Sequence, residues 1–161
     1  MEQMGADEML IVDSREKWTQ PGSRDAHISG WLDRHGVDWT VQKLDIGDYM
    51  LQGGNITVDR KQSIDEISKN LTNPADKKRF WNEVRLAHYR RIRLVVLIET
   101  SKYKEVSELR SWRSEYSPVR GPALIREMER LHRAYGVDFL FCQRRSTAKH
   151  IMEILEAPNS E

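Results

Sequence analysis

Residues 94–99 read Leu-Val-Val-Leu-Ile-Glu, with no polar residue before the last position. Six residues are short for a buried helix, and an unbroken apolar run is what a strand covered on both faces requires. Such a strand needs helices above and below it, and the chain offers them between further strands. Residues 9–13 form a second short apolar run that ends in Asp13, and residues 39–44 alternate. A third strand starts at Gly47-Asp48-Tyr49. The turn residues Gly53-Gly54-Asn55 lead into a returning strand over 56–61, so the pair reads as a hairpin. Residues 138–142 give one more strand.

Helices are expected between them. Ser23 caps one that runs to about His35, where Gly36 stops it. Ser63-Ile64-Asp65-Glu66 has the form of a capping box, and the helix it opens breaks near Asn73-Pro74. A second helix spans about 75–89. Pro122 opens another, with Leu124, Met128, Leu131 and Tyr135 in one stripe and Gly136 as its stop. A last helix covers 147–155, with Ala148, Ile151 and Leu155 inward. Residues 101–120 are polar but carry Tyr103, Trp112 and Tyr116, which points to packing or to binding. The whole reads as an α/β domain with a mixed central sheet.

Length and composition fit one domain over 1–161 with its core at about 9–156, since 161 residues with 39% hydrophobic and 32% charged content suit a single core. No stretch has the length of a membrane span, and no signal-peptide core follows the polar start. Cys142 is the sole cysteine, so an internal disulfide is impossible and an intracellular location is expected. The five histidines lack metal-ligand spacing, and no phosphate-binding glycine loop or serine elbow is present. Net charge is only +1, but cations crowd 77–93 and 102–120 while acids gather around 13–16 and 45–66. A basic surface beside an acidic pocket suits a phosphodiester and a metal; two solvated helix faces are the alternative.

On the returning strand Thr57, Asp59 and Lys61 share one face. Asp48, across the glycine turn, can pair near Asp59. Two converging carboxylates repel each other, and a divalent cation relieves that repulsion. Lys61 beside them can stabilise charge developing on a phosphate. An acid, about ten residues, then Asp-x-Lys is the general pattern of the PD-(D/E)xK nucleases. The acid-x-Lys piece alone is weak: twenty-five acids and nine lysines make about one chance match. Asp76-Lys77-Lys78 is such a match, on a helix.

The wider context is narrower. Asp13-Ser14-Arg15-Glu16, then Gly47-Asp48-Tyr49, then Asp59-Arg60-Lys61-Gln62-Ser63-Ile64-Asp65 resemble the XPF-type nuclease family. Its motifs are Asp-x-Arg-Glu, Gly-Asp-Tyr and Glu-Arg-Lys-x-x-x-Asp. Arg79-Phe80 with Arg85-Leu86 is similar to the helix that follows the signature, and Glu99 to the acid that ends the next strand. The resemblance covers about 9–155. It implies a restriction-endonuclease-like fold and Mg²⁺- or Mn²⁺-dependent cleavage of branched or flapped DNA. Asp48 and Asp59 would hold metal and Lys61 would stabilise charge. Asp13 and Glu16 would be outer acids, with Arg15, Arg60 and Asp65 in support. Arg60 points away from Lys61, which favours a structural role. Asp65 also suits a helix start. Lys77, Lys78, Arg79 and Arg85 are candidate DNA contacts or a solvated helix face.

Two features depart from that family. Asp59 stands where it has Glu, and no helicase or helix-hairpin-helix module is expected within this length. Two other functions fit the same residues: a non-catalytic DNA-binding scaffold, and a restriction-type enzyme acting on linear duplex. A homodimer or heterodimer is expected through the helix over 124–135 and the strand over 138–142.

Overall fold

The computed structural model describes residues 8–157. Among these residues, six strands make one sheet: β1 (Leu10–Asp13), β2 (Trp39–Gln42), β3 (Tyr49–Leu51), β4 (Ile56–Lys61), β5 (Arg93–Glu99) and β6 (Asp138–Cys142). Their order across it is β2-β1-β3-β4-β5-β6. β3 is antiparallel to both its neighbours, and the other pairings are parallel. The expected mixed sheet is present, and the glycine hairpin supplies its antiparallel part.

Among the described residues, five α-helices flank the sheet: α1 (His27–Arg34), α2 (Ile64–Thr72), α3 (Pro74–Tyr89), α4 (Gly121–Tyr135) and α5 (Thr147–Glu156). β5 lies between two cores, as its unbroken apolar run requires. Leu94, Val96 and Ile98 join the core under α2, α3 and α4, while Val95 and Leu97 join the one under α1 and α5. Each such side chain taken from water stabilises the fold by about 1.5–3 kcal/mol.

Helix starts follow local chemistry. The Ser63 hydroxyl accepts the Glu66 N–H at 3.1 Å, and the Glu66 carboxylate accepts the Gln62 N–H at 2.8 Å. Asn73 caps α3 by accepting the Asp76 N–H at 3.3 Å, and Pro74 opens the helix. Two expectations are corrected. Ser23 caps no helix: its hydroxyl accepts the Asp25 N–H at 3.2 Å in a turn, and α1 starts at His27. β2 ends at Gln42 rather than residue 44, because the Leu44 N–H is taken by the Asp13 carboxylate at 2.8 Å instead of a strand partner.

The unassigned stretch after β5 contains one short 3-10 turn, Val106–Ser111. Tyr103 and Trp112 turn inward to the core, while Tyr116 stays outside.

Candidate active site

The hairpin register brings the two acids together. Tyr49 pairs with Val58 and Met50 with Thr57, so Asp48 falls opposite Asp59. The Asp48 N–H donates to the Val58 carbonyl at 2.7 Å, and the Asp48 carboxylate accepts the Arg60 N–H at 2.8 Å. Gly47 makes this approach possible. Its φ is +69°, and a Cβ there would overlap the Thr57 hydroxyl. That hydroxyl donates to the Ile46 carbonyl at 2.8 Å, which fixes the chain entering Asp48.

β4 divides its side chains as its alternation requires. Thr57, Asp59 and Lys61 face α2 and α3, and Lys61 Nζ lies 3.3 Å from Asp59 Oδ2 and 5.8 Å from the centre of the Phe80 ring. Both side chains of the pair are largely covered, with 11% and 8% exposed. Burial pulls the Lys61 ammonium toward its neutral form, but Asp59, Glu66 and Asp48 outweigh it and hold the charge. Asp48 moves the opposite way. Burial pushes its carboxyl well above the usual range, and the charges of Asp59 and Glu16 push it further.

This arrangement fits a hard divalent cation. Two carboxylates that disfavour each other's charge gain by sharing one, and Mg²⁺ is held by one or two carboxylates with water and phosphate oxygens completing its shell. No group of three or more His, Cys, Asp or Glu is placed to enclose a metal among the described residues. The carboxylates that could share a cation there are those of Asp48 and Asp59.

The remaining residues of the motifs divide into two groups. The Asp13 carboxylate accepts the Leu44 N–H at 2.8 Å and the Arg15 guanidinium at 2.7 Å, so it holds the turn beside the site. Hydrogen bonds from Arg15 and from backbone outweigh its burial and lower its pKa. Arg15 also bonds the Leu44 carbonyl at 3.2 Å and lies within the fields of Asp48 and Glu83.

Arg60, on the other face of β4, is the hub of a buried network. Its guanidinium meets Glu99 at 2.9 Å, Asp25 at 3.0 Å and Glu16 at 3.1 Å. Glu16 also accepts the Tyr49 hydroxyl, Glu99 accepts the Thr147 hydroxyl at 2.5 Å, and Arg144 pairs with Asp25 at 2.7 Å. This network fastens β4, β5 and α5 together directly behind the acid pair.

Two residues of this region were not found from the sequence. Glu83 of α3 accepts the Gly47 N–H at 2.6 Å, and burial followed by the charge of Asp59 pushes its carboxyl upward. The signal was an acid set between Phe80 and Val84 on the inward stripe of α3. Asp25, in the turn before α1, carried no such pattern.

Most of the basic residues of α3 named as candidate DNA contacts have partners within the fold. Lys77 lies 3.6 Å from Glu127, Arg79 pairs with Asp76, and Lys78 is exposed. Arg85 and Arg130 stack over Trp81 at 5.5 and 5.8 Å. Asp65 accepts the Ser114 hydroxyl at 2.5 Å and so ties α2 to the loop before α4.

Sheet order and acid pair define a restriction-endonuclease-like α/β domain of the PD-(D/E)xK type. Residues 12–155 match the ERCC4 domain family, and the chain belongs to that family, the XPF-type nuclease domains. XPF from Aeropyrum pernix is a similar solved structure, with a TM-score of 0.65 and 22% identity, covering 91% of this chain and 63% of that one. A second structure of that protein, in complex with DNA, matches with a TM-score of 0.63 and 21% identity over 92% and 63% of the two chains. The chain therefore spans less than two thirds of those structures, and the likeness fixes the fold. Comparison with curated proteins gives no significant match. No helix among the described residues is long and apolar enough to cross a membrane.

Proposed function

We propose that this domain is a Mg²⁺- or Mn²⁺-dependent endodeoxyribonuclease that hydrolyses phosphodiesters at branched, flapped or forked DNA. The observation that carries the reading is the acid pair Asp48 and Asp59 held across β3 and β4, with Lys61 Nζ 3.3 Å from Asp59. A divalent cation bound there would supply a polarised phosphate and a water acidic enough to attack it. The chain's own residues do the rest. Asp48 and Asp59 would hold the cation across the β3–β4 hairpin. Lys61 keeps its proton and places a positive charge where the phosphate gains negative charge. Arg60 and its acids hold β4 from behind.

The DNA complex of the Aeropyrum pernix protein supports DNA as the partner. A homodimer or heterodimer through α4 and β6 is part of the same reading. β6 is an edge strand, and Leu140 on it is 41% exposed. Light scattering tests that part, and a monomer at high concentration removes it.

The test of the activity is cleavage of labelled 3′-flap, fork and linear duplex with Mg²⁺, Mn²⁺ or EDTA, beside Asp59→Ala and Lys61→Ala. Metal-dependent cutting near the branch, lost in both variants, is the expected result. Equal cutting by Asp59→Ala would overturn the site. Tight branched-DNA binding without cutting would replace the nuclease by a scaffold, and cutting of linear duplex at fixed sequences would replace it by a restriction-type enzyme.

A further inference from the structure

Directly after Lys61 the chain turns into α2, and a cleft of about 880 Å³ opens there. Its walls include Ser63 and Asp65 at the start of α2, Thr100 and Lys102 after β5, and Arg113 and Tyr116 on the loop before α4. A second hollow of about 620 Å³ continues along α2 to Lys69 and Asn73, and it shares Ser63, Asp65, Ser114 and Tyr116 with the first. Tyr116 thus stands where the two hollows join, in a groove that starts two residues from the lysine of the site.

The three aromatics of residues 101–120 have separate fates. Tyr103 and Trp112 are each 8% exposed and pack into the core, whereas Tyr116 is 82% exposed. Its loop is a built structure. Arg113 bridges Arg120, the Gly121 N–H donates to the Trp112 carbonyl at 2.7 Å, and the Ser114 N–H donates to Val119 at 3.1 Å. The Ser114 hydroxyl accepts the N–H groups of Tyr116 and Ser117 at 3.0 and 3.1 Å and donates to Asp65 at 2.5 Å. Even the exit from the loop is fixed, since a Cβ at Gly121 would collide with the Leu109 carbonyl. The backbone that carries the exposed Tyr116 ring is held at a defined place.

The groove has the polarity of a base-binding surface. Several of its acids are engaged: Asp65 by Ser114, Glu99 by Arg60 and Thr147, Glu66 by the Gln62 N–H. Glu115 adds an acid at the rim, so the groove is no continuous phosphate track. Lys102 and Arg113 stand in the first hollow, and in the second Lys69 keeps 69% of its side chain exposed while 3.8 Å from Asp76. Scattered cations around an aromatic platform are the pattern that holds single strands, because every base has a face to stack and the backbone needs charge only at intervals.

We infer that this groove takes the unpaired strand of the DNA substrate, with one base stacked on Tyr116 and flanking phosphates near Lys102, Arg113 and Lys69. The inference rests on the reading of DNA as the substrate. It explains how the domain would tell a branch from a continuous duplex.

The experiment is fluorescence anisotropy of labelled oligothymidylate and of a duplex of equal length, in EDTA, with the wild-type chain, Tyr116→Ala, Tyr116→Phe and Tyr89→Ala. Tyr89 is a fair control because it is 85% exposed on α3 and lies outside the groove lining. Loss of one stacking platform should weaken oligothymidylate binding about tenfold in Tyr116→Ala, with Tyr116→Phe within about twofold of wild type. Tyr89→Ala and all duplex affinities should be unchanged. Equal oligothymidylate binding by Tyr116→Ala and wild type overturns the inference, as does a Tyr116→Ala loss shared equally by duplex. The metal-dependent cleavage assay, run beside it, separates the two readings. A chain that never cuts but shows the Tyr116 effect keeps the groove and loses the nuclease. A chain that cuts while its single-strand binding ignores Tyr116 does the reverse.

Discussion

The Asp48 carboxylate accepts the backbone N–H of Arg60 at 2.8 Å, so the acid that precedes β3 is fastened to the Asp59–Arg60 peptide of β4. Any movement of β4 against β3 changes the distances from Asp48 to both Asp59 and Lys61. Replacement by Asn keeps a side-chain oxygen that can accept this bond, more weakly than a carboxylate does. Asp48→Asn removes a carboxyl that burial and Asp59 hold in an unfavourable state. It should therefore raise the thermal midpoint of the metal-free protein, with a gain of about 1 kcal/mol corresponding to about 2–4 °C. Metal-dependent cleavage should be lost together with any Mn²⁺-induced thermal shift. Differential scanning fluorimetry with and without Mn²⁺ checks both, and a variant less stable than wild type in EDTA would refute the repulsion argument.

Arg60 presents a different balance. Its side chain is 2% exposed and faces three acids, of which Glu16, Asp25 and Glu99 keep 12%, 13% and 3% of theirs exposed. Arg60→Met keeps much of the volume but leaves these carboxylates without their shared cation. Breaking a buried ion network in this way costs about 3–5 kcal/mol. Arg60→Lys should recover only part, because one ammonium cannot reproduce a guanidinium that meets three partners. Urea denaturation followed by circular dichroism measures the loss. A Met variant within about 1 kcal/mol of wild type would mean that the network contributes little net stability.

What the sequence made legible follows from how local each signal was. The two-faced burial of β5 was written in one unbroken run, and the register of β3 on β4 in a glycine turn between alternating segments. Asp48, Asp59 and Lys61 came together because that hairpin is nearly self-contained. The opposite orientation of Arg60 was also readable, since strands alternate. Its three acid partners were harder to see: they arrive from the turn after β1, the turn before α1 and the end of β5, and no local rule links them. Glu83 and Asp25 were missed for the same reason, because docking of a helix and a turn places them. The end of β2 depended on Asp13 capturing the Leu44 N–H across the chain.

Glu83 acts on the site through Gly47. Its carboxylate accepts the Gly47 N–H at 2.6 Å, and Gly47 sets the backbone that enters Asp48. Glu83→Ala leaves that N–H without its acceptor, at a cost of about 1–3 kcal/mol. It should also weaken cleavage by loosening Asp48. Glu83→Gln keeps a carbonyl acceptor and removes a charge that burial and Asp59 oppose, so its stability should equal or exceed that of wild type. Paired denaturation and cleavage measurements on the two variants decide the point. Equal behaviour of Ala and Gln would show that the hydrogen bond to Gly47 does not position the site.

Asp25 gives the network its acid sensitivity. Burial pushes its carboxyl up, but hydrogen bonds from Arg60 and Arg144 outweigh that and lower it below its ordinary 3.8. A carboxylate whose native pKa lies below its unfolded one contributes stability that is fully present above the unfolded value. That contribution fades as the pH falls through the native value. Asp25→Asn cannot titrate and lacks it at every pH. Wild type should therefore exceed the variant by a constant margin from about pH 7 to about pH 5, and the margin should close as the pH drops below 3.8. The variant keeps Glu16 and Glu99 on Arg60, so it should remain folded near neutrality and allow the comparison. Urea midpoints for both proteins across that range provide the measurement. A margin that persists undiminished in acid would show that Asp25 stabilises the fold by packing and not through its charge.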